Sequence, residues 1–172
     1  KTALDDPRLL WASPVMTVNT SRHQVDASID LKGAKKIYLV VSDGGDSFAC
    51  DWADWLKPTL VSGEKKVTLT SLPWESAQVG FGQIGLNQNV MGKPLQVRNQ
   101  VVADGLGVHA PSIVCYAIPE KMDRLDVTCA LDFGGTSQGS GTSVRFAVYK
   151  DELPTDVLTV DSQTQSQRDA EN

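Results

Sequence analysis

The residues best suited to chemistry are crowded into one acidic loop, Asp43 to Trp55, which holds four aspartates and two tryptophans. Carboxylate oxygens suit a hard cation such as Ca²⁺ or the hydroxyls of a polyhydroxylated ligand. Large apolar rings in such a loop must pack inward or face something other than water. The loop therefore predicts a binding site or, as the plainer alternative, a solvated loop anchored by tryptophan.

The composition narrows the classes of partner. The chain has 172 residues, a net charge of -5 and a pI of about 4.9, which argues against nucleic acid and anionic membrane surfaces. No apolar run approaches the roughly 20 residues that span a bilayer, so we predict no membrane insertion. Because the chain starts at Lys1 rather than at methionine, we expect that a leader has been removed or left out.

Short alternating segments predict the elements that must position the acidic loop. Ile37 to Val41 is a continuous apolar run, typical of a buried strand, and it leads directly into the loop. Val25 to Leu31, Leu125 to Leu131 and Val144 to Tyr149 alternate apolar and polar residues. About nine or ten such segments without a helical stripe predict an all-β sandwich or barrel. Cys129 should face the core, and all three cysteines should be free thiols.

Four motifs resemble one known family. Residues 105–119, GLGVHAPSIVCYAIP, are similar to the G-x-G-x-H-A-x-S-x-I-x-Y-x-L signature of the NPCBM domain, family fifty-one of the carbohydrate-binding modules. Residues 72–77 and 80–82, LPWESA and GFG, resemble its opening motifs, and residues 133–135 and 143–149 resemble later strands. The acidic loop resembles its closing segment, L-x-V-x-D-x-G-D followed by D-x-A-D-W-A-D.

The order of these motifs departs from the family. The closing segment normally comes last, but here it precedes the opening motifs, and Leu10 to Met16 resembles the strand that usually follows Val144 to Tyr149. The resemblance therefore implies a circular permutation, with the ordinary ends joined through Val61 to Leu72, or a piece cut out of phase from tandem copies. The strand at Leu10 should then lie antiparallel beside Val144 to Tyr149, which would bring Pro7 and Asp151 close together.

The resemblance also implies a fold and a function. The fold is a two-sheet antiparallel β-sandwich of jelly-roll type over residues 8–152, with a polar tail or linker at 153–172. Described members bind galactose-containing glycans, carry calcium, and are appended to glycoside hydrolases and large exported bacterial proteins. This implies a secreted or cell-surface carbohydrate-binding module that recognises a terminal galactose-like sugar and is joined to other modules. A structural or protein-interaction module that has lost sugar binding is the alternative.

The sugar-binding residues implied by the resemblance are Asp51, Trp52, Asp54 and His109, with Trp55 extending the aromatic platform. An indole face stacks on the apolar face of a pyranose, while carboxylates and a neutral imidazole form hydrogen bonds with its hydroxyls. In the alternative interpretation, Trp52 belongs to the core, the acids cap the backbone of their own loop, and His109 is a structural group.

A structural calcium ion is predicted at Asp43 and Asp46, on the acidic density of the loop and on the resemblance. The loop from Gly85 to Asn89, with its backbone carbonyls and amides, is the other candidate. Neither is an EF-hand, because the twelve-residue ligand spacing and the terminal glutamate are missing. We predict no enzymatic activity, since paired carboxylates hydrolyse glycosides only at a defined separation that spacing in sequence does not establish.

Overall fold

Strands account for about half of the computed structural model, which describes residues 3–44, 50–119, 121–139 and 141–158. One short helix, α1 (Phe133–Thr136), and three 3-10 turns, Ala3–Asp5, Ser21–His23 and Leu69–Ser71, are also present. The strands are, in chain order, β1 (Leu9–Ala12), β2 (Met16–Thr17), β3 (Gln24–Asp30), β4 (Lys36–Ser42), β5 (Trp52–Ser62), β6 (Lys65–Thr68), β7 (Ser76–Gln78), β8 (Gly85–Leu86), β9 (Leu95–Val97), β10 (Gln100–Val102), β11 (Gly105–His109), β12 (Ser112–Ala117), β13 (Arg124–Leu131) and β14 (Ser143–Lys150).

The strands form two sheets of six strands each and one separate hairpin. The first sheet has the order β1-β14-β4-β12-β7, with β2 also paired to β14. The second has the order β3-β13-β5-β11-β8, with β6 also paired to β5, and β9 pairs with β10 alone. Every pairing between these strands is antiparallel. The predicted all-β sandwich with two antiparallel sheets is confirmed.

Strand β13 shows how alternation produces this layering. Leu125, Val127, Cys129 and Leu131 are buried in the core between the sheets. The intervening Thr128 faces away from the core and donates a hydrogen bond to an aspartate of β3. The burial of Cys129 confirms the prediction from the period of two, and all three cysteines are free thiols.

An aromatic pair joins the two sheets at the centre of the core. Trp55 of β5 and Phe146 of β14 are both fully buried. Their ring centroids lie 5.0 Å apart, and the ring planes are perpendicular, an arrangement that aromatic pairs prefer over face-to-face stacking. Burial of a side chain as large as Phe146 contributes roughly 1.5–3 kcal/mol, so this contact is a main link between the layers.

Each sheet is also partly covered on its outer face. On the first sheet, Ala3 and Val157 pack beside Tyr149, whose hydroxyl donates to the Ala3 carbonyl oxygen at 2.8 Å. On the second sheet, the β9–β10 hairpin places Leu95 over Leu56 of β5. Because of this hairpin, Leu56 on the outer face of β5 is also buried.

The first and the last strand of the sandwich are neighbours in the first sheet. β1 pairs with β14, with Leu9 opposite Tyr149, and the Lys150 N–H donates to the Arg8 carbonyl oxygen at 2.9 Å. The pairing confirms the prediction that the first strand lies antiparallel beside the strand of residues 143–150 and that the flanking residues are close in space.

Candidate functional site

The pairing of β5 with β11 brings several of the predicted residues together. Trp52 lies opposite His109, and Asp54 lies opposite Gly107. Directly paired residues point to the same face of a sheet. Trp52, Asp54 and His109 therefore lie on the outer face of the second sheet, whereas Trp55 points to the core.

His109 ends β11 and is only 4% exposed. Its Nδ1 lies 2.7 Å from the Ala110 carbonyl oxygen, so Nδ1 carries the proton and Nε2 is the acceptor of the neutral ring. Burial lowers the pKa of His109 below its usual value, and the hydrogen bond to Ala110 opposes this only in part. At pH 7 the imidazole is therefore neutral, with one donor and one acceptor.

Trp52 is half-buried because α1 lies against its indole ring. A Cβ atom added at Gly134 would collide with the six-membered ring, and one added at Gly135 would lie 3.1 Å from the Trp52 side chain. The start of α1 is held by Asp132, whose carboxylate accepts a hydrogen bond from the Gly134 N–H at 2.8 Å. The glycine pair therefore lets the helix close over the indole.

Asp54 is fully buried and lies next to Asp132, which is also fully buried. Asp132 accepts hydrogen bonds from the Asn89 side-chain amide at 3.3 Å, the Gln96 N–H at 3.2 Å and the Gly134 N–H at 2.8 Å. By contrast, neither carboxylate oxygen of Asp54 has a donor among the described residues. The two buried carboxyl groups therefore differ in their surroundings: Asp132 accepts three N–H groups, and Asp54 accepts none from the described residues.

The protonation of this pair follows from its surroundings. Burial raises the pKa of Asp54 well above its usual value, and a hydrogen bond to Asp132 and its charge raise it further. A proton on Asp54 supplies the donor that Asp132 can still accept. Asp54 therefore works inside the fold and offers no surface to a ligand, contrary to its predicted role in a sugar site.

Two more residues predicted to bind sugar, Asp51 and Trp55, are fully buried. Asp51 is fully buried, its Oδ1 accepts the Ser143 N–H at 2.8 Å, and its carbonyl oxygen accepts the Ala110 N–H at 2.9 Å. Its carboxylate therefore holds the backbone at the start of β14, rather than that of its own loop as the alternative interpretation supposed. Trp55 does not extend an aromatic platform, because its ring is fully buried against Phe146.

An aromatic residue that the sequence did not single out lies beside His109. The Phe81 ring is 52% exposed, and its centroid is 5.6 Å from that of His109 at an interplanar angle of 61°. Gly80 packs so closely against Ala110 that a Cβ atom would collide with its carbonyl oxygen. Gly82 adopts a φ of +69°, which favours glycine. The flanking glycines thus hold an exposed ring next to a buried imidazole.

The sequence feature that could have pointed to Phe81 as a site residue is its position between two glycines. We interpreted residues 80–89 as an irregular loop and used Gly80-Phe81-Gly82 only as a motif. The contact with His109 joins two segments of different strands, and no local pattern reveals it.

One of the two predicted calcium ligands lies within the described residues. Asp43 is half-buried just after β4, while Asp46 lies outside the described residues. Within the described ranges, no group of three or more His, Cys, Asp or Glu side chains is placed to hold a metal ion. In the alternative loop, the Asn89 side-chain oxygen accepts the Met91 and Lys93 N–H groups at 3.0 and 3.1 Å. That oxygen is engaged in the fold of its own loop, and calcium binding at either place stays a prediction.

Two patterns that suggest catalysis do not have the required context. Residues 135–139 spell G-x-S-x-G, but Ser137 follows the end of α1, whereas the nucleophile of that motif sits on a strand-to-helix turn. The carboxyl pair Asp54 and Asp132 is fully buried, and a glycoside hydrolase needs its two carboxyl groups on either side of a bound substrate.

A larger cleft lies at the opposite end of the sandwich from His109. It has a volume of about 870 Å³ and lies between residues 30–35 and 118–124. Its acids already have partners, since Asp30 accepts the Lys32 N–H and Asp123 accepts the Ser62 hydroxyl. No aromatic side chain lines it, so it is less suited to a sugar ring than the surface at Phe81.

Comparison with known proteins gives a family. The sequence model of the NPCBM/NEW2 domain matches residues 2–61 and 65–171. Searches of curated proteins and of solved structures returned no match. None of the helices in the described part of the chain has the length and apolar character needed to cross a membrane.

Proposed function

The chain belongs to the NPCBM/NEW2 domain family of carbohydrate-binding modules, and we propose that it is a non-catalytic module that binds a terminal galactose-like sugar beside Phe81 and His109. The observation that carries this proposal is the exposed Phe81 ring 5.6 Å from the His109 ring. Galactose is chosen because of the resemblance to galactose-binding members of the family.

The chemistry of the surface suits a neutral sugar. The Phe81 ring offers an apolar face on which a pyranose can stack, a contact worth about 0.5–1.5 kcal/mol. His109 is neutral at pH 7, so its ring adds no charge to the surface beside Phe81. A few such contacts, less the cost of association, predict a dissociation constant of roughly 0.1 to 1 mM.

Weak binding of this kind fits a tethered module. Affinity at a single shallow site becomes useful when several modules or a catalytic partner share one polypeptide, because effective concentration multiplies the binding. We therefore propose that the chain works as part of a larger secreted or cell-surface protein and directs it to glycans. The order of the motifs supports a circular permutation relative to the family.

The test is titration calorimetry or ligand-observed NMR with methyl galactosides. Phe81→Ala should weaken binding roughly threefold to tenfold, in line with the loss of one aromatic contact, without loss of fold. Val101→Ala is the matched control, since Val101 is 62% exposed on the separate hairpin, and it should bind as the wild type does.

A structural or protein-interaction module is the second candidate. It is favoured by the burial of Asp51 and Asp54, which leaves fewer polar groups at the surface than the resemblance implies. A glycan array separates the two candidates. A module without sugar binding gives no signal on any galactose-terminated glycan, whereas the proposed module binds several.

A structural calcium ion near Asp43 and Asp46 is also a proposal. It is supported by the density of carboxylates in residues 43–54. An ion that binds only the folded state raises the melting temperature by mass action. Chelator should therefore lower the melting temperature and added calcium should restore it. An unchanged melting temperature would leave both aspartates as turn residues.

A further inference from the structure

A groove runs along the loop on the C-terminal side of Phe81. It lies between residues 82–85 and 88–92 and has a volume of about 360 Å³. This volume is near the lower end of the range for small-ligand sites, about 300–1,000 Å³. Gln83, Gln88 and Met91 are among the side chains that line it, and none of the described residues that line it is charged. A groove of this size and neutrality suits one uncharged sugar ring.

The groove begins at Gly82, the residue directly after Phe81. Gly82 packs against Val90, where an added Cβ atom would lie 2.7 Å from the carbonyl oxygen, and the Gln83 N–H donates to that oxygen at 3.3 Å. Phe81 and Met91 are the chain neighbours of Gly82 and Val90, and Met91 lines the groove. Their side chains are 52% and 53% exposed.

The groove is built by backbone that is fixed before a ligand arrives. Gly85 approaches the Gln88 carbonyl so closely that only glycine fits. The Asn89 side chain holds the next turn by accepting the Met91 and Lys93 N–H groups and donating to buried Asp132. A preformed groove loses little conformational entropy on binding.

The groove also provides hydrogen-bonding groups. Gln83 and Gln88 are exposed, and no hydrogen bond of either side-chain amide occurs within the described residues. Each amide offers two donors and one acceptor, which matches a pair of neighbouring sugar hydroxyls. The combination of Met91 with two free amides provides an apolar contact and polar contacts on a single ring.

We propose that this groove is a second subsite, which binds the neutral sugar unit adjoining the terminal sugar at Phe81 and His109. Met91 packs on that ring, and Gln83 and Gln88 bond its hydroxyls. The inference rests on the proposed function and specifies it further: the preferred ligand is a disaccharide or longer glycan, and the second unit carries no charge.

The test compares methyl β-galactoside and methyl α-galactoside with a panel of neutral galactose-terminated disaccharides of different linkages, by titration calorimetry. The wild type should bind at least one disaccharide roughly tenfold more tightly than either methyl galactoside, as expected for a few added contacts. Gln83→Ala and Met91→Ala should each lose most of this gain and leave the affinity for the methyl galactosides unchanged. Val101→Ala should behave as the wild type, and circular dichroism should show each variant folded.

The outcomes separate this inference from the proposed function. If the wild type binds methyl galactoside but no disaccharide more tightly, the second subsite is overturned and the proposed function stands. The subsite is also overturned if both folded variants keep the full disaccharide gain. If neither class of sugar binds, the proposed function and the subsite are overturned together.

Discussion

At the residue scale, the buried pair Asp54 and Asp132 is the feature with the clearest physical consequence. Three N–H groups converge on Asp132, and none from the described residues reaches Asp54, whose pKa is raised well above its usual value by burial. Asp132 also begins α1 over Trp52 and binds Asn89 of the groove loop. The pair therefore supports both sides of the proposed surface without touching a ligand.

Replacing Asp54 by asparagine should stabilise the protein at high pH. Because the pKa of Asp54 is raised on folding, the folded state binds more protons than the unfolded state above about pH 4. Stability of the wild type therefore falls as pH rises from that value towards the raised pKa. Asp54→Asn keeps the shape, supplies a donor to Asp132 and removes this loss. Urea unfolding at pH 4 and pH 8 should show an advantage that grows with pH to about 1–3 kcal/mol.

Asp126→Asn is the matched control, because Asp126 lies on the solvent side of β13 and bonds the Ser28 hydroxyl. Those interactions lower the pKa of Asp126, so its replacement should give no gain at high pH. If Asp54→Asn and the wild type differ by the same amount at pH 4 and pH 8, the assignment of a protonated Asp54 is contradicted.

The lowered pKa of His109 predicts how sugar binding depends on pH. Protonation puts a positive charge on the imidazole ring beside Phe81 and leaves it with two donors. Since burial lowers the pKa, affinity should stay constant from pH 8 to pH 7 and weaken only below about 6.5, the ordinary value. The expected loss is roughly twofold to tenfold, the size of one hydrogen bond. NMR titration of the ring, run beside calorimetry, checks this; a midpoint above 6.5 is the contradicting result.

The sequence predicted some residues correctly and misplaced others for a physical reason. The alternation along β13 was enough to place Cys129 in the core. By contrast, Asp54 was predicted in a loop that runs to Trp55, which is wrong, because β5 begins at Trp52 and carries Asp54 on its outer face. Here the loop at Asn89 and the neighbouring hairpin cover it, and long-range covering of this kind leaves no mark on local periodicity.

At the scale of elements, the short helix α1 and the glycine loop shape the proposed surface. α1 packs against the indole ring of Trp52 through Gly134 and Gly135. The loop of residues 80–82 places the Phe81 ring beside His109. Strands were predictable from apolar alternation. These two elements were not, because their conformations are set by close approach to Trp52 and to Ala110.

Gly134→Ala should displace α1 from the indole ring. A Cβ atom at this position collides with Trp52, and overpacking of this kind costs about 1–3 kcal/mol. Denaturant unfolding should show the loss of stability, and the fluorescence of the folded protein should change as Trp52 becomes more exposed. Ser137→Ala, one residue beyond the same helix, is the control and should change neither. Wild-type stability in Gly134→Ala would contradict the packing of α1 on Trp52.

At the scale of the whole molecule, the two ends of the described chain lie in one small apolar cluster. Ala3 and Leu158 both pack with Tyr149 on the outer face of the first sheet. The motif order suggested that the ends would meet, and the pairing of β1 with β14 agrees. Because the ends are close together, a circular permutation needs only a short linker and little rearrangement of the fold.

A rearranged chain tests the permutation proposal. The variant joins Leu158 to Ala3 through a flexible linker and opens the exposed turn at Ser62 and Gly63, which restores the motif order of the family. It should fold and bind galactosides with the wild-type affinity, since no sheet pairing is removed. Only the short β5–β6 hairpin connection is cut. A variant that fails to fold would contradict the proposal that the two orders share one sandwich.

The central claim, sugar binding beside Phe81 and His109, is tested most directly by mapping a galactoside onto the protein with backbone amide NMR shifts. The account predicts that saturating methyl galactoside shifts the amides of residues 80–82 and 108–110, and that disaccharides extend the shifts to residues 83–91. Amides around the charged cleft of residues 30–35 and 118–124 should not move. Shifts confined to that cleft, or no shifts anywhere at saturating sugar, would contradict the account.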